Sequence, residues 1–338
     1  THTGVVVQLI RYLAANPAHV LHSWLHYAVA LGTVAGGVVG IPAVIGSYRS
    51  ERPSLFPWFY PRWQRGIDIL TARVQDLVIG NSDAVSREAQ AWAFVPRAKL
   101  ATVYNGIEVA PLKPVSPEHR KVLFDELGIP LDGCLVGTVG RLFPEKDQIT
   151  LIDAAAQVCR AHPGVHFVII GEGSSRPLLE ARIRSLNVSD RVHLAGGRKD
   201  AVEWMQVMSV FVLTSLSEGF PNVLLEAARA GVPTVTTAAG GAAEVVLDGV
   251  TGYVVPCRDS QGLAERILEL LSNPARGGEL ARAATVRSRK ATRSNAVTAP
   301  SVSRYRRRRP AASIPTVPRA GEVRPPIGQV VSVRSGSA

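Results

Sequence analysis

The chain has 338 residues, 46% of them apolar, which leaves room for two domains with packed cores. Its formal net charge of +11 is confined to one end: residues 285–338 carry 12 Lys/Arg against one acid, whereas residues 1–284 carry 26 of each sign. A folded part without net charge excludes a basic nucleic-acid-binding domain, and no nucleic-acid partner is expected.

In chain order, the sequence opens inside an apparent helix, "GVVVQLIRYLAAN". Between Arg11 and Arg49 there is no Lys, Arg, Asp or Glu, a stretch long enough to span a bilayer. Pro17, Pro42 and five glycines interrupt it, so it reads instead as strand "HVLHSW", helix "HYAVALGTVAGGVVG" and strand "PAVIGS". "ERPSLFPWFYPRWQR" follows, with Trp58 and Trp63 among arginines. It fits either a packed loop leading into a helix or an interfacial patch, with aromatics at headgroup level and arginines on anionic lipid. Strands "DLVIGNS" and "LATVYNG" complete this part, which offers four strands and is expected to be an incomplete domain.

"NGIEVAPLKPVSPEHR" reads as an interdomain linker. Beyond it, apolar runs at 135–140, 165–173, 191–197, 210–215, 233–238 and 251–255 alternate with helical stretches at 147–161, 176–186, 221–231 and 259–272. Strands alternating with helices of this length predict right-handed crossovers and parallel, doubly wound sheets. The expected division is an incomplete Rossmann-like domain over 1–110, a second Rossmann-like domain over 111–284 and a disordered Arg/Pro/Ser-rich tail over 285–338. Cys134, Cys159 and Cys257 are far apart, which argues against a disulfide framework and a zinc site and suits a reducing cytosol.

Chemistry is expected at the carboxyl ends of the strands. Arg141 and Lys146 follow one strand, Arg198 and Lys199 another, and "SLSEGFPNVLLE" leads from a third into a helix. Two cations at one strand end and a helix N-terminus at another would clamp a diphosphate. Glu218 and Glu226 are eight residues apart, near twice 3.6, so both carboxylates are expected to face one way. Alone, the two glutamates would equally fit a helix-start charge and a solvent-facing helix residue.

"GRLFPEKD" and "EGFPNVLLE" resemble the GR(L)xxxK and EX7E elements of family 4 glycosyltransferases. "VIGNSDAVSREA", "VYNGIEV", "IIGEGSSRPLLE" and "HLAGGRKDAVEWM" follow the family order, and "HSWLHYA" resembles a polysaccharide-building, O-antigen-type subgroup. The resemblance implies a GT-B fold, two Rossmann-like domains facing a cleft, and retaining hexosyl transfer from a UDP- or GDP-linked sugar. The acceptor would be a saccharide or lipid-linked saccharide of cell-surface polysaccharide or glycolipid synthesis.

The same resemblance assigns roles. Glu218 would stand beside the anomeric carbon, with Gly219 and Phe220 lining the donor site. Backbone N–H groups of Asn222 and Val223 would hold a phosphate, and Glu226 the ribose. Arg141 and Lys146 would neutralise the departing diphosphate. Gly171 and Gly173 belong to the donor side, and Gly197, Arg198 and Lys199 would border the base. His22, Trp24 and Arg49 are the acceptor-side candidates; His22 and Trp24 also fit a packing role, and Arg49 stands where many relatives carry a His. No Asp-x-Asp occurs, so neither metal nor cofactor is expected. The enzyme would be cytoplasmic or peripheral on the cytoplasmic face of the membrane. The alternatives are an inactive GT-B fragment acting as a binding module and another GT-B activity such as nucleotide-sugar epimerase.

Overall fold

Every strand pair in the computed structural model is parallel, and the strands form two separate sheets. The structure describes residues 2–50, 62–107, 111–293 and 330–334. Two compact units divide the chain, one of residues 1–104 with 296–338 and one of residues 105–295. The division falls between Tyr104 and Asn105, where the sequence suggested 110/111.

The first unit runs α1 (His2–Ala15), β1 (Val20–Trp24), α2 (His26–Val39), β2 (Ala43–Tyr48), α3 (Arg62–Val74), β3 (Leu77–Gly80), α4 (Asp83–Ala93) and β4 (Leu100–Thr102). The uncharged stretch 12–48 is thus β1, α2 and β2 with the end of α1, as its punctuation suggested. Its glycines let α2 lie close on the sheet: a Cβ at Gly32 would sit 2.0 Å from Ser23 Oγ, and one at Gly36 2.8 Å from Leu21 Cδ2. Leu13, Leu21, Ala35 and Val44 form one core cluster, and Val29, Tyr48, Val78 and Val85 another. Among the described residues no helix is long and apolar enough to cross a membrane. Most of the aromatic–arginine segment, residues 51–61, lies outside the described residues.

The second unit runs α5 (Pro117–Glu126), β5 (Cys134–Val139), α6 (Gln148–Ala161), β6 (Val165–Ile170), α7 (Arg176–Ser185), β7 (Val192–Gly196), α8 (Ala201–Val207), β8 (Val210–Leu213), α9 (Asn222–Ala230), β9 (Thr234–Thr237), α10 (Ala242–Val245), β10 (Tyr253–Val255), α11 (Ser260–Ser272) and α12 (Pro274–Arg293). A last strand, β11 (Val330–Arg334), pairs with β1 and makes the first sheet β11-β1-β2-β3-β4. The second sheet has the order β10-β9-β8-β5-β6-β7. Its central strands are buried on both faces, between the cluster of Phe167, Ile169, Leu151 and Ile267 and that of Phe211, Val168, Trp204 and Leu224. That is why they read as unbroken apolar runs.

Three expectations are corrected. The linker stretch ends earlier than its prolines suggested, because Pro117 starts α5 and Ser116 Oγ caps it, accepting from His119 N at 3.2 Å. The tail is not wholly without structure. Helix α12 continues to Arg293, pinned on α9 by Thr285 Oγ1 donating to Ala228 O at 2.6 Å, and residues 330–334 form β11. Lastly, α9 begins at Asn222, so Glu218 precedes the helix and the two glutamates do not share a helix face.

Candidate functional site

From β5 the chain of the second unit winds outward through β6 to β7, then returns to the other side of β5 as β8 and continues to β9 and β10. The order reverses between β5 and β8. In open parallel sheets the carboxyl ends at such a reversal leave a crevice, because the two following connections depart to opposite faces. Arg141 and Lys146 follow β5, Glu218 follows β8, and α9 starts four residues later.

Hydrogen bonds lock the two strand-end loops together. Thr214 Oγ1 donates to Lys146 O at 3.0 Å, and Leu216 N donates to Glu145 O at 2.8 Å. Gly241 N donates to Glu218 O at 3.1 Å, and Thr237 Oγ1 holds Ser215 O at 2.6 Å. On this frame Lys146 Nζ meets Glu218 Oε1 at 2.5 Å, and Ser215 Oγ donates to the same oxygen at 2.6 Å. The Lys146 side chain is 20% exposed and that of Glu218 11%, so the ion pair is largely withdrawn from water. Arg141 differs: its side chain is 70% exposed, stacks at 4.9 Å on the Phe143 ring and lies 3.6 Å from Glu145.

The loop after β5 also rests on the loop after β6. Gly140 N donates to Ile170 O, Leu142 N to Glu172 O and Ser175 N to Leu142 O, each at 2.9 Å. Helix α9 has no side-chain cap, because Pro221 precedes it. The backbone N–H groups of Asn222 and Val223 therefore lack intrahelical partners and the helix dipole adds partial positive charge there, four residues after Glu218. Glu226, one turn in, is half-buried.

The family profile of Glycosyl transferases group 1 matches residues 119–291, which cover this whole frame from β5 to α12. The chain belongs to this family. The profile of Glycosyltransferase Family 4 matches residues 3–110. The Vi polysaccharide biosynthesis protein VipC/TviE of Salmonella typhi is 29% identical over 262 residues, 74% of this chain and 44% of that protein. A D-inositol 3-phosphate glycosyltransferase of Acidothermus cellulolyticus is 30% identical over 283 residues, 78% of this chain and 62% of that one. The chain thus spans less than two thirds of the length of either relative. Among solved structures, HepE of Anabaena in complex with UDP-glucose is similar, with a TM-score of 0.75, 26% identity and coverage of 86% of this chain and 80% of that one. The fold class is α/β with two parallel sheets, of the GT-B type.

The group 1 frame brings Lys146 and Glu218 together, and α9 starts four residues after Glu218, with Gly219 and Phe220 buried between them in sequence. Gly171 and Gly173 lie against the Gly140–Leu142 segment: a Cβ at either would fall 1.9 Å from Gly140 O or 2.3 Å from Leu142 O. Arg198 is engaged elsewhere. It binds Asp200 at 2.8 Å and Glu126, and covers Trp204 at 5.2 Å, while Gly197 and Lys199 are exposed. Its carboxylate partners hold the guanidinium pKa above its ordinary range. In the first unit, His22, Trp24 and Arg49 cluster at the carboxyl ends of β1 and β2. The His22 and Trp24 rings are 4.7 Å apart, Arg49 lies 4.8 Å over Trp24, and His22 Nε2 meets Ser47 Oγ at 2.7 Å. Burial, and secondarily the Arg49 charge, lower the His22 pKa. Among the described residues no group of three or more His, Cys, Asp or Glu could hold a metal ion.

Sequence reasoning missed the Lys146–Glu218 pairing, Ser215 as its third member, and Asn105, whose amide reaches Phe220 and Asn222. The quoted "VYNGIEV" element was the available signal for Asn105.

Burial raises the Glu226 pKa above glutamate's ordinary 4.5, an effect that Arg229 partly offsets. The folded chain then retains a proton that the unfolded chain releases, so from pH 4.5 upward this carboxylate makes an increasingly unfavourable contribution to stability. Glu226→Gln is therefore expected to be the more stable protein at neutral pH and to converge with wild type below pH 4.5. The gain should be under about 1 kcal/mol, because the side chain is partly solvated. Urea melts across the pH range test this, and a variant less stable at neutral pH would refute it.

Proposed function

We propose that this chain transfers a hexosyl group, with retention, from a UDP- or GDP-linked sugar to a saccharide or lipid-linked saccharide. The product would belong to cell-surface polysaccharide or glycolipid synthesis. The carrying observation is the Lys146–Glu218 pair at the strand-order reversal, beside the uncapped start of α9. The similarity to HepE, whose structures hold UDP and UDP-glucose, and to a Vi polysaccharide biosynthesis protein supports the same reading.

In this reading the diphosphate lies on the N–H groups of Asn222 and Val223, with Arg141 and Lys146 supplying positive charge. Glu218 holds hydroxyls of the sugar, Glu226 those of the ribose, and Gly197–Lys199 border the base. The bond from the anomeric carbon to the phosphate oxygen breaks while the acceptor oxygen approaches on the same face. The departing phosphate helps take the acceptor's proton. Such a step is promoted by positioning and by fixed charge where negative charge develops, and Lys146 and Arg141 take the place of a metal ion. His22, Trp24 and Arg49 are the acceptor-side residues. The enzyme would be cytoplasmic, with peripheral contact on the cytoplasmic face of the membrane.

The test is nucleotide release by the full chain from UDP-glucose, UDP-galactose and GDP-mannose, with and without EDTA. Release of UDP or GDP, unchanged by EDTA, is expected. Turnover abolished by EDTA would remove the metal-independent step, and no release with any hexosyl donor would overturn the reading.

A further inference from the structure

Asn105 is the first residue of the second unit and lies 115 positions before Phe220. Its Nδ2 donates to Phe220 O at 3.1 Å and to Asn222 Oδ1 at 2.8 Å. A backbone carbonyl can only accept, so the nitrogen end of the Asn105 amide must face Phe220. The second proton of that nitrogen then requires an acceptor, and Asn222 must turn its oxygen toward Asn105. The consequence falls on the other end of the Asn222 amide. Its Nδ2 makes no hydrogen bond among the described residues, and Asn222 is exposed at the first position of α9.

The geometry points to Asn105 as a positioning residue for the donor site, one that fixes the rotation of the Asn222 amide so that its Nδ2 donates to the nucleotide diphosphate. This rests on the donor reading above and adds a side-chain donor to the two backbone N–H groups. The link to Phe220 O also holds the chain entering α9, so Asn105 restrains both the backbone and the side chain at the anion's position. Unrestrained, the Asn222 amide would present oxygen or nitrogen about equally, and the oxygen would repel phosphate.

Calorimetric titration of the full-length chain with UDP and with GDP, using whichever binds the wild type more tightly, tests the assignment. Asn105→Ala and Asn222→Ala should each raise the Kd about tenfold, the scale of one lost hydrogen bond to a charged group. The double variant should be within about twofold of Asn105→Ala, because the side-chain contribution of Asn222 depends on Asn105. Asn105→Asp keeps the volume but offers only acceptors. Asn222 must then turn its nitrogen away from the ligand, and binding should weaken at least as much as in Asn105→Ala. Effects that multiply in the double variant, or an unchanged Kd in Asn105→Ala, would overturn the assignment. A wild-type chain that binds neither UDP nor GDP would sink the donor reading instead. Hydrogen exchange then decides Asn105 independently: the amides of Leu224, Leu225 and Glu226 should lose protection in Asn105→Ala, and unchanged protection refutes the role.

Discussion

Glu218→Ala is expected to lower kcat by about 10²–10³, the scale on which one preorganised polar group acts on a developing transition state. Its effect on the fold should be separable from that loss. Removing the carboxylate leaves Lys146 Nζ and Ser215 Oγ without the oxygen that both now share, at 2.5 and 2.6 Å. Breaking a fully buried pair costs several kcal/mol. With the two side chains 20% and 11% exposed, solvent reaches the stranded ammonium and the cost falls to about 1–2 kcal/mol. Lys146→Met should destabilise similarly by stranding Glu218. In the double variant neither charge is left alone, so the stability losses should not add and much of the fold's stability should return. On the proposed reading activity should not return with it, because the double variant lacks both the group that would stand beside the sugar and the cation that would stand beside the diphosphate. Thermal melts and donor-dependent release of UDP or GDP on the four proteins measure the two quantities. Recovery of turnover along with stability would mean that the pair only holds the β5 and β8 loops together.

That pairing also shows where sequence reading stopped. The strands were legible because parallel strands covered on both faces are unbroken apolar runs. The candidate segments were legible because chemistry in such sheets collects at strand ends, and the residues Arg141, Lys146 and Glu218 follow β5 and β8. What the sequence could not show was strand order. Nothing in the chain places β8 beside β5 rather than beside β7, yet that neighbourhood is what sets Lys146 against Glu218. Periodicity misled at the same place: eight residues fits two helical turns, but Pro221 delays the helix to Asn222 and leaves Glu218 in a loop. Helix α5 was obscured by prolines that suggest a linker, although proline at a first helical position is a start signal. Helix α12 was obscured by its charge. It buries Leu280, Ala281 and Ser288, a narrow stripe that a scan for sustained apolar periodicity passes over.

Gly171→Ala is expected to be the most damaging small substitution in the second unit. Gly171 has φ +148°, a conformation that a side chain rarely adopts, and an added Cβ would lie 1.9 Å from Gly140 O and 2.8 Å from Gly140 C. Neither atom is the end of a flexible side chain. Both belong to the backbone that leads into Arg141, and Gly171 N is itself bound to Gly196 O at 2.8 Å. Backbone strain and overpacking each cost on the order of 1–3 kcal/mol, so a total of about 3 kcal/mol is expected. For a unit of residues 105–295 that corresponds to a fall in Tm of roughly 6–12 °C. Gly140→Ala is the matched control, because a Cβ there meets nothing within 4 Å and its φ is not positive. Its Tm should move little, so any loss of donor turnover in Gly140→Ala would report a ligand approaching the backbone closely at the end of β5. If Gly171→Ala kept its Tm, the loops after β5 and β6 would have to separate without penalty. The three 2.9 Å hydrogen bonds that join them, Gly140 N to Ile170 O, Leu142 N to Glu172 O and Ser175 N to Leu142 O, argue against that.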